Sequence, residues 1–295
     1  MNLLQLKYFQ TVAKLENMTR AAEELHIAQP SLSKTIARLE EDLGVYLFER
    51  RGRQIRINKF GKTFLARVQR VFSELEDGRR ELADMSGLES GSVTVGATIS
   101  RLLPKLFSEF LTEKPYVKFR LVQVTRQLEI QRQLVSGELD LCISILPVEQ
   151  PEVSCIPLTT EEIYLVVPPG HRLAKNRSAL LKEIAGEPFI HHTTESGLRM
   201  ITDSFFQQAE FVPDIAFECT TPEVICSLVK EGLGNALIPA SWWNTANMEP
   251  LPKLHIENPA CDRTIWLSWI KKHYMSEAAV SFKQFTVEYF KKTNI

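Results

Sequence analysis

Cysteine is scarce in this chain: five residues in 295, Cys142, Cys155, Cys219, Cys226 and Cys261, scattered, odd in number and without a CxxC pair. That pattern argues against a disulfide framework and against a structural zinc site. A reduced compartment is expected, with the thiols used as small buried hydrophobes and a redox role as the alternative. Long apolar runs are missing too. No uninterrupted stretch approaches the roughly 18 residues of a membrane span. The first residues, Met1-Asn2-Leu3-Leu4-Gln5-Leu6-Lys7, lack the basic and apolar regions of a signal peptide. The expectation is a cytoplasmic protein with no membrane partner.

Catalytic signatures are equally absent. There is no GxSxG, P-loop, HExxH or GxGxxG, and Gly232-Leu233-Gly234 lacks a third glycine. No His–Ser or carboxylate pairing stands out, so no enzyme and no cofactor is expected. His191-His192 invites a metal reading, but neighbours on a strand point to opposite faces and cannot easily share one ion.

Net charge is only −1 over the whole chain. The average conceals an asymmetry. Residues 1–67 carry 12 Lys and Arg against 7 Asp and Glu, whereas the remainder carries 23 against 29. A basic end on an acidic body suggests that the N-terminal part meets a polyanion.

The basic end has helical periodicity. Leu3, Leu6, Phe9 and Val12-Ala13 share one face of a first helix. Asn17 or Thr19 can cap a short second helix through Ala21, Ala22 and Leu25, and the small alanines permit another helix to cross closely. His26-Ile27-Ala28 is a tight turn. Pro30 then opens a third helix, about Gln29 to Glu41, because proline in a first turn lacks only an N–H that would have no partner there. Gly44 stops it. Leu32, Ile36 and Leu39 face inward; Pro30, Lys34, Ala37 and Arg38 face outward, with Ser31 and Ser33 at the flanks. This is a helix-turn-helix pattern, with a solvated helix face as the alternative.

The next segment weighs against that alternative. Residues 49–70 hold Arg50, Arg51, Arg53, Arg56, Lys59, Lys62, Arg67 and Arg70 against the single acid Glu49. Within "ERRGRQIRINKFG", Ile55 and Ile57 point one way and Arg56 the other. A short wing around Gly52, basic at its tip, would place cations where they neutralise phosphates or enter a minor groove. On this reading Gln29, Pro30, Ser33 and Lys34 face base edges. Ser31 and Arg38 lie nearer phosphates, Arg53 with Arg50 or Arg51 serves the wing, and Thr19 joins the interface.

The stretch "AAEELHIAQPSLSKTIARLEEDLGVYLFERRGR", Ala21 to Arg53, closely resembles the LysR-type transcriptional regulators, and the resemblance continues across essentially the full length. It departs at Ala28, where the family usually has a capping Ser or Thr, and at Ile57-Asn58-Lys59-Phe60-Gly61 in place of Leu-Thr-x-x-Gly. Asn58 can still cap the next helix.

Phe64, Val68, Val71, Leu75, Gly78, Leu82 and Met85 are spaced 4, 3, 4, 3, 4, 3, a narrow seam that needs a partner. Packing on the chain's own domain is one reading; pairing with a second copy, which the resemblance also implies, is the other. From Ser92 onward strands and helices alternate in an α/β pattern expected to form mostly parallel sheets. Two of its segments, "GELDLCI" (Gly137–Ile143) and "VKEGLGNALIP" (Val229–Pro239), look most like the family. The resemblance implies a periplasmic-binding-protein-like effector domain of two subdomains.

The expected architecture is therefore multidomain. An all-α winged helix-turn-helix DNA-binding domain (1–58) leads through a dimerising linker helix (59–87) to an α/β effector domain (88–295). Its subdomain I is placed at about 92–162 and 267–295, and subdomain II at about 163–266. Ligands of open α/β sheets sit beyond strand carboxyl ends, where helices begin. Thr98 and Ser100 follow the first strand, Thr125 and Arg126 the second. Thr193 and Thr194 follow "PFIHH", and Thr220 follows a later strand. Arg126 is placed to pair with a carboxylate. Reading these hydroxyls only as helix caps remains open; the resemblance favours Thr98, Ser100 and Thr194. The expected partners are double-stranded operator DNA, a small effector and a second copy in a homodimer or homotetramer, with RNA polymerase a further candidate. A free-standing solute-binding protein would explain the C-terminal part but not the basic helices.

Overall fold

The computed structural model describes residues 1–51, 54–85, 91–99, 101–124, 126–243 and 251–293, with the side chains of 50, 51, 54, 80, 83 and 84 left aside. Two compact units are present, Met1–Arg80 and Glu81–Ile295.

In the first unit, α1 (Leu3–Leu15) opens on a reciprocal cap. Asn2 Oδ1 accepts the Gln5 N–H at 2.9 Å, and Gln5 Oε1 accepts the Asn2 N–H at 2.8 Å. For α2 (Met18–Glu24) the capping residue is Asn17, which accepts from the N–H groups of Thr19 and Arg20. Ala21 and Ala22 are buried where α2 meets α1 and α3. Helix α3 (Gln29–Leu43) has Pro30 in its first turn and ends at left-handed Gly44. A hairpin comes next, β1 (Phe48–Arg51) against β2 (Gln54–Ile57), in antiparallel register Phe48↔Ile57. Its tip, Gly52 and Arg53, lies outside the described residues. Phe9 joins the layers, its ring 5.6 Å from Phe48 and 5.4 Å from Phe64. Full burial of such a ring stabilises by about 1.5–3 kcal/mol.

Helix α4 runs Lys59–Met85. Its seam divides. Val68 is buried and Phe64 packs on the first unit's core, whereas Val71, Leu75, Leu82 and Met85 are exposed.

The second unit contains β3 (Ser92–Ala97), α5 (Leu103–Glu113), β4 (Lys118–Gln123), α6 (Gln127–Val135), β5 (Leu141–Ser144), β6 (Val153–Val166) and β7 (Ser178–Ala179). Then come β8 (Pro188–His192), α7 (Gly197–Gln208), β9 (Asp214–Cys219), α8 (Pro222–Lys230), β10 (Ala236–Pro239), β11 (Lys253–Ile256), β12 (Asp262–Ile270) and α9 (Glu277–Lys292). A mixed sheet runs β4-β3-β5-β12-β6-β11-β7 with β10 also on β6, and β8-β9 form a separate parallel pair. The expectation of mostly parallel sheets is corrected here: β3 is parallel to β4 and β5, but β12 is antiparallel to both β5 and β6, and β10 and β11 are antiparallel to β6. The long strand β6 joins the two ends of the sheet, pairing with β12 over residues 153–162 and with β10 and β11 within 163–166.

Phe110, Phe119, Phe282 and Phe285 pack edge-to-face between α5, β4 and α9. Ser276 caps α9, its Oγ accepting the Ala279 N–H at 3.2 Å. The stretch His171–Gly186 has a helical pattern, but only a 3-10 turn, Leu181–Ile184, forms there. Its Leu181 and Ile184 are buried, and the preceding Ser178 and Ala179 are drawn into strand pairing with β11. Too few residues remain to nucleate an α-helix.

Candidate DNA interface and effector cavity

On the first unit, α3 buries Leu32, Ile36 and Leu39 and turns Gln29, Pro30, Ser31, Lys34, Ala37 and Arg38 to solvent, with Ser33 half-buried beside them. Thr19 is exposed at the start of α2. The turn ahead of α3 is tight. The Ile27 N–H reaches the Ala22 carbonyl at 3.0 Å, and His26 takes a left-handed φ of 53°. Ala28 sits at the cap with φ −69° and ψ 132° and makes no side-chain bond. Pro30 has no N–H, so the only nearby first-turn donor a capping hydroxyl could meet is Ser31 N–H, which already bonds the Ala28 carbonyl at 3.0 Å.

The hairpin is bolted to the helices by carboxylates that no local sequence pattern singles out. Glu40 Oε1 on α3 accepts from the N–H groups of Leu47 (2.7 Å) and Phe48 (3.2 Å), and Glu16 Oε1 accepts from Ile57 N–H at 2.9 Å. Asn58 caps α4 as expected, taking the Gly61 N–H at 2.9 Å and donating to the Tyr46 carbonyl at 2.7 Å. A Cβ on Gly61 would lie 2.2 Å from the Leu47 carbonyl oxygen, so only glycine fits. Ile55 faces the core and Arg56 solvent. The side chains of Arg50 and Arg51 and the whole of Arg53 lie outside the described residues.

The second unit holds a cavity of about 360 Å³. Thr98, Thr193 and Thr220 line it, from three different strand ends. Thr98 Oγ1 accepts the Ile145 N–H at 3.2 Å. Ser196 also lines it and caps α7 through the Leu198 N–H. Two of the expected site residues stand apart. Thr194 is exposed and not in the wall, because the turn after β8 swings it outward. Arg126 is not in the wall either: its guanidinium is bonded to both carboxylate oxygens of Glu195, at 2.7–3.0 Å. Ser100 and Thr125 lie outside the described residues.

Two wall residues, Arg101 and Arg263, carry no signal in the sequence. Arg101 donates to the Trp242 carbonyl at 3.2 Å and to Glu223. Arg263 on β12 pairs with Glu161 on β6, whose other oxygen accepts the Ser241 N–H at 2.7 Å. His192 lines the cavity and its Nε2 has no hydrogen-bond partner among the described residues. Its neighbour His191 points away, with Nε2 3.2 Å from Asp203. The two rings therefore face different surroundings, as strand alternation requires. Burial pushes both histidines down to about 4, helped for His191 by Arg199 and for His192 by His191 and Arg263. His191 Nδ1 accepts the His192 N–H at 2.8 Å, which fits a neutral ring. Burial pushes the thiols of Cys142 and Cys261 up to about 12 and that of Cys226 up to about 11, as expected of core residues.

Comparison with known proteins agrees in both units. The family model for the LysR substrate binding domain matches residues 86–291, and that for the bacterial regulatory helix-turn-helix protein, lysR family, matches residues 3–62. The uncharacterized HTH-type transcriptional regulator YybE of Bacillus subtilis is 38% identical over 291 residues, 97% of this chain and 98% of that protein. The effector binding domain of QuiR in complex with shikimate is 28% identical with a TM-score of 0.61, covering 70% of this chain and 99% of that one. Full-length CbnR complexed with its target DNA is 24% identical with a TM-score of 0.59, covering 98% of this chain and 100% of that one. No helix among the described residues is long and apolar enough to cross a membrane. The chain belongs to the LysR family of transcriptional regulators, which are not enzymes, and carries a DNA-binding helix-turn-helix domain and an effector-binding domain.

Proposed function

We propose that the chain binds operator DNA sequence-specifically as a homodimer or homotetramer in the cytoplasm. It changes transcription when a small, carboxylate-bearing effector occupies the cavity. Residues 1–58 form the DNA-binding part, 59–87 the linker and 88–295 the effector-binding part, with subdomain I at about 92–162 and 267–295 and subdomain II between them. The observation that carries the effector reading is the convergence of Thr98, Thr193 and Thr220, far apart in sequence, on one cavity. The outward face of α3 supports base reading by Gln29, Pro30, Ser33 and Lys34, with Ser31 and Arg38 nearer phosphates; Thr19 joins the interface, and Arg53 with Arg50 or Arg51 serves the wing. The exposed end of the α4 seam supports pairing with a second copy. That CbnR has been seen on its target DNA and QuiR with shikimate supports both kinds of partner. RNA polymerase is a further proposed partner.

The test is a thermal-shift screen of small metabolites on the full chain, followed by variants. Thr98→Val is expected to weaken the shift produced by the active compound and to spare DNA binding, and Thr194→Val to change neither. Loss of DNA binding in Thr98→Val would overturn the two-module picture.

A further inference from the structure

The cavity wall contains a cation, Arg101, held by Trp242 and by Glu223, which differ in kind. Arg101 follows β3, and its side chain is only 17% exposed. Buried Trp242 holds it in place: the Trp242 carbonyl accepts from Nη1 at 3.2 Å, and the guanidinium carbon lies 5.7 Å from the centre of the indole ring. Its Nη2 donates instead to Glu223, which is 63% exposed in the first turn of α8. Trp242 is a fixed mount. Glu223 is a carboxylate on the surface that can turn away without leaving an uncompensated buried charge of its own.

Glu223 sits where a ligand anion would sit. Its backbone N–H hydrogen bond and Arg101 together hold it below the usual carboxylate range, against the opposing effect of burial. Thr220, Thr221 and Pro222, immediately before it, line the same wall. A second, independent feature points into this region. His192 is 6% exposed, its ring packs edge-on against Trp242 at 5.6 Å, and its Nε2 has no partner among the described residues. A buried polar atom left so in a cavity wall calls for a partner supplied from outside the chain.

We propose that Arg101 is the anion-reading residue of the cavity and that Glu223 is a built-in stand-in for the ligand: the carboxylate of a small effector takes the place of Glu223 on the Arg101 guanidinium, and His192 hydrogen-bonds the same molecule. The proposal rests on the reading of the cavity as the effector site. Exchange of one carboxylate for another keeps the semi-buried arginine paired before and after binding, so no unpaired cation is created. It also breaks a link between segments 122 residues apart, the loop after β3 and the start of α8, which gives occupancy a structural consequence. Because Glu223 competes, apparent affinity is lowered by the fraction of molecules in which it holds Arg101.

The experiment is a calorimetric titration of the full chain with acetate, succinate and benzoate, each compared at constant ionic strength with its neutral amide. In Glu223→Gln at least one carboxylate is expected to bind about fivefold or more tightly than in wild type. Arg101→Gln is expected to abolish that binding in either background, and the amides to be indifferent to both changes. Carboxylate binding unchanged or weakened in Glu223→Gln, absent from it altogether, or persisting in Arg101→Gln overturns the proposal. Glu223→Gln changes an exposed side chain, so the outcome does not depend on the folding of Arg101→Gln. An amide that binds through Thr98 and ignores Arg101 refutes only the anion assignment. Carboxylate binding that requires Arg101 but leaves operator binding unaltered refutes the effector reading instead.

Discussion

Arg263 and Glu161 face each other across β12 and β6, Nη2 to Oε1 at 2.6 Å, with side chains 3% and 0% exposed. Both charges are out of water, Arg263 in the cavity wall and Glu161 behind it, and they pair with each other. Removing one leaves the other stranded. Glu161→Ala is expected to cost about 3–5 kcal/mol in urea unfolding, whereas the double variant Glu161→Leu/Arg263→Met is expected to be far less damaging. Equal loss in single and double variants would contradict this.

Stability depends on pH through His191 and His192. Unfolded histidines titrate near 6.5, and burial pushes these two down to about 4. Between those values the unfolded chain binds more protons than the folded one. Stability therefore falls as pH is lowered from about 6.5 and levels off below about 4. One such site is worth about 3 kcal/mol over the full window, and the two are coupled neighbours, so their sum is smaller than twice that. Unfolding free energies at pH 7.5 and 5 are expected to differ less in His192→Asn than in wild type.

The seam of α4 splits into a half that packs at home and a half that does not. Leu75 and Leu82 are 52% and 68% exposed. If this half pairs with a second copy as proposed, wild type sediments as a dimer or larger, and Leu75→Glu with Leu82→Glu is expected to sediment as a monomer in sedimentation velocity. Val68→Ala, which empties a buried site, is expected to cost about 2 kcal/mol of stability.

Ala28→Ser adds the missing cap of α3. Because Pro30 offers no N–H and Ser31 N–H is shared with the Ala28 carbonyl, the gain belongs at the lower end of the usual range, about 0.5–1 kcal/mol. A melting point unchanged or lowered would mean that the turn at His26 resists the new bond.

The first unit was legible because its signals are local. Pro30 marked a helix start, Leu32, Ile36 and Leu39 its inner face, and Asn58 the next cap, and each sits as read. The second unit was less so where its determinants are long-range. The apolar end of β6, from Glu162 to Val166, has the composition of a strand. Its first half contains Pro157 and the run Thr159-Thr160-Glu161, which look like turn and surface. In the sheet, Pro157 sits at a register shift opposite Trp266, where the lost N–H is tolerated, and Glu161 is neutralised by Arg263. The pairing of Arg101 with Glu223 spans 122 residues and leaves no mark on either segment. Thr98, Thr193 and Thr220 were legible as strand ends, a rule of the fold class; Arg126 was too, but Glu195 occupies it.

Base reading by Lys34 is the claim on which the regulator's specificity turns. The direct measurement is fluorescence anisotropy of the full chain on a duplex selected by the protein itself and on a scrambled duplex, for wild type, Lys34→Ala and Arg56→Ala. Lys34→Ala is expected to lower affinity for the selected duplex by about 1–3 kcal/mol more than for the scrambled one. Arg56→Ala is expected to weaken both alike and to reduce the salt slope by about 1. If Lys34→Ala weakens the two duplexes equally, α3 does not read bases through Lys34.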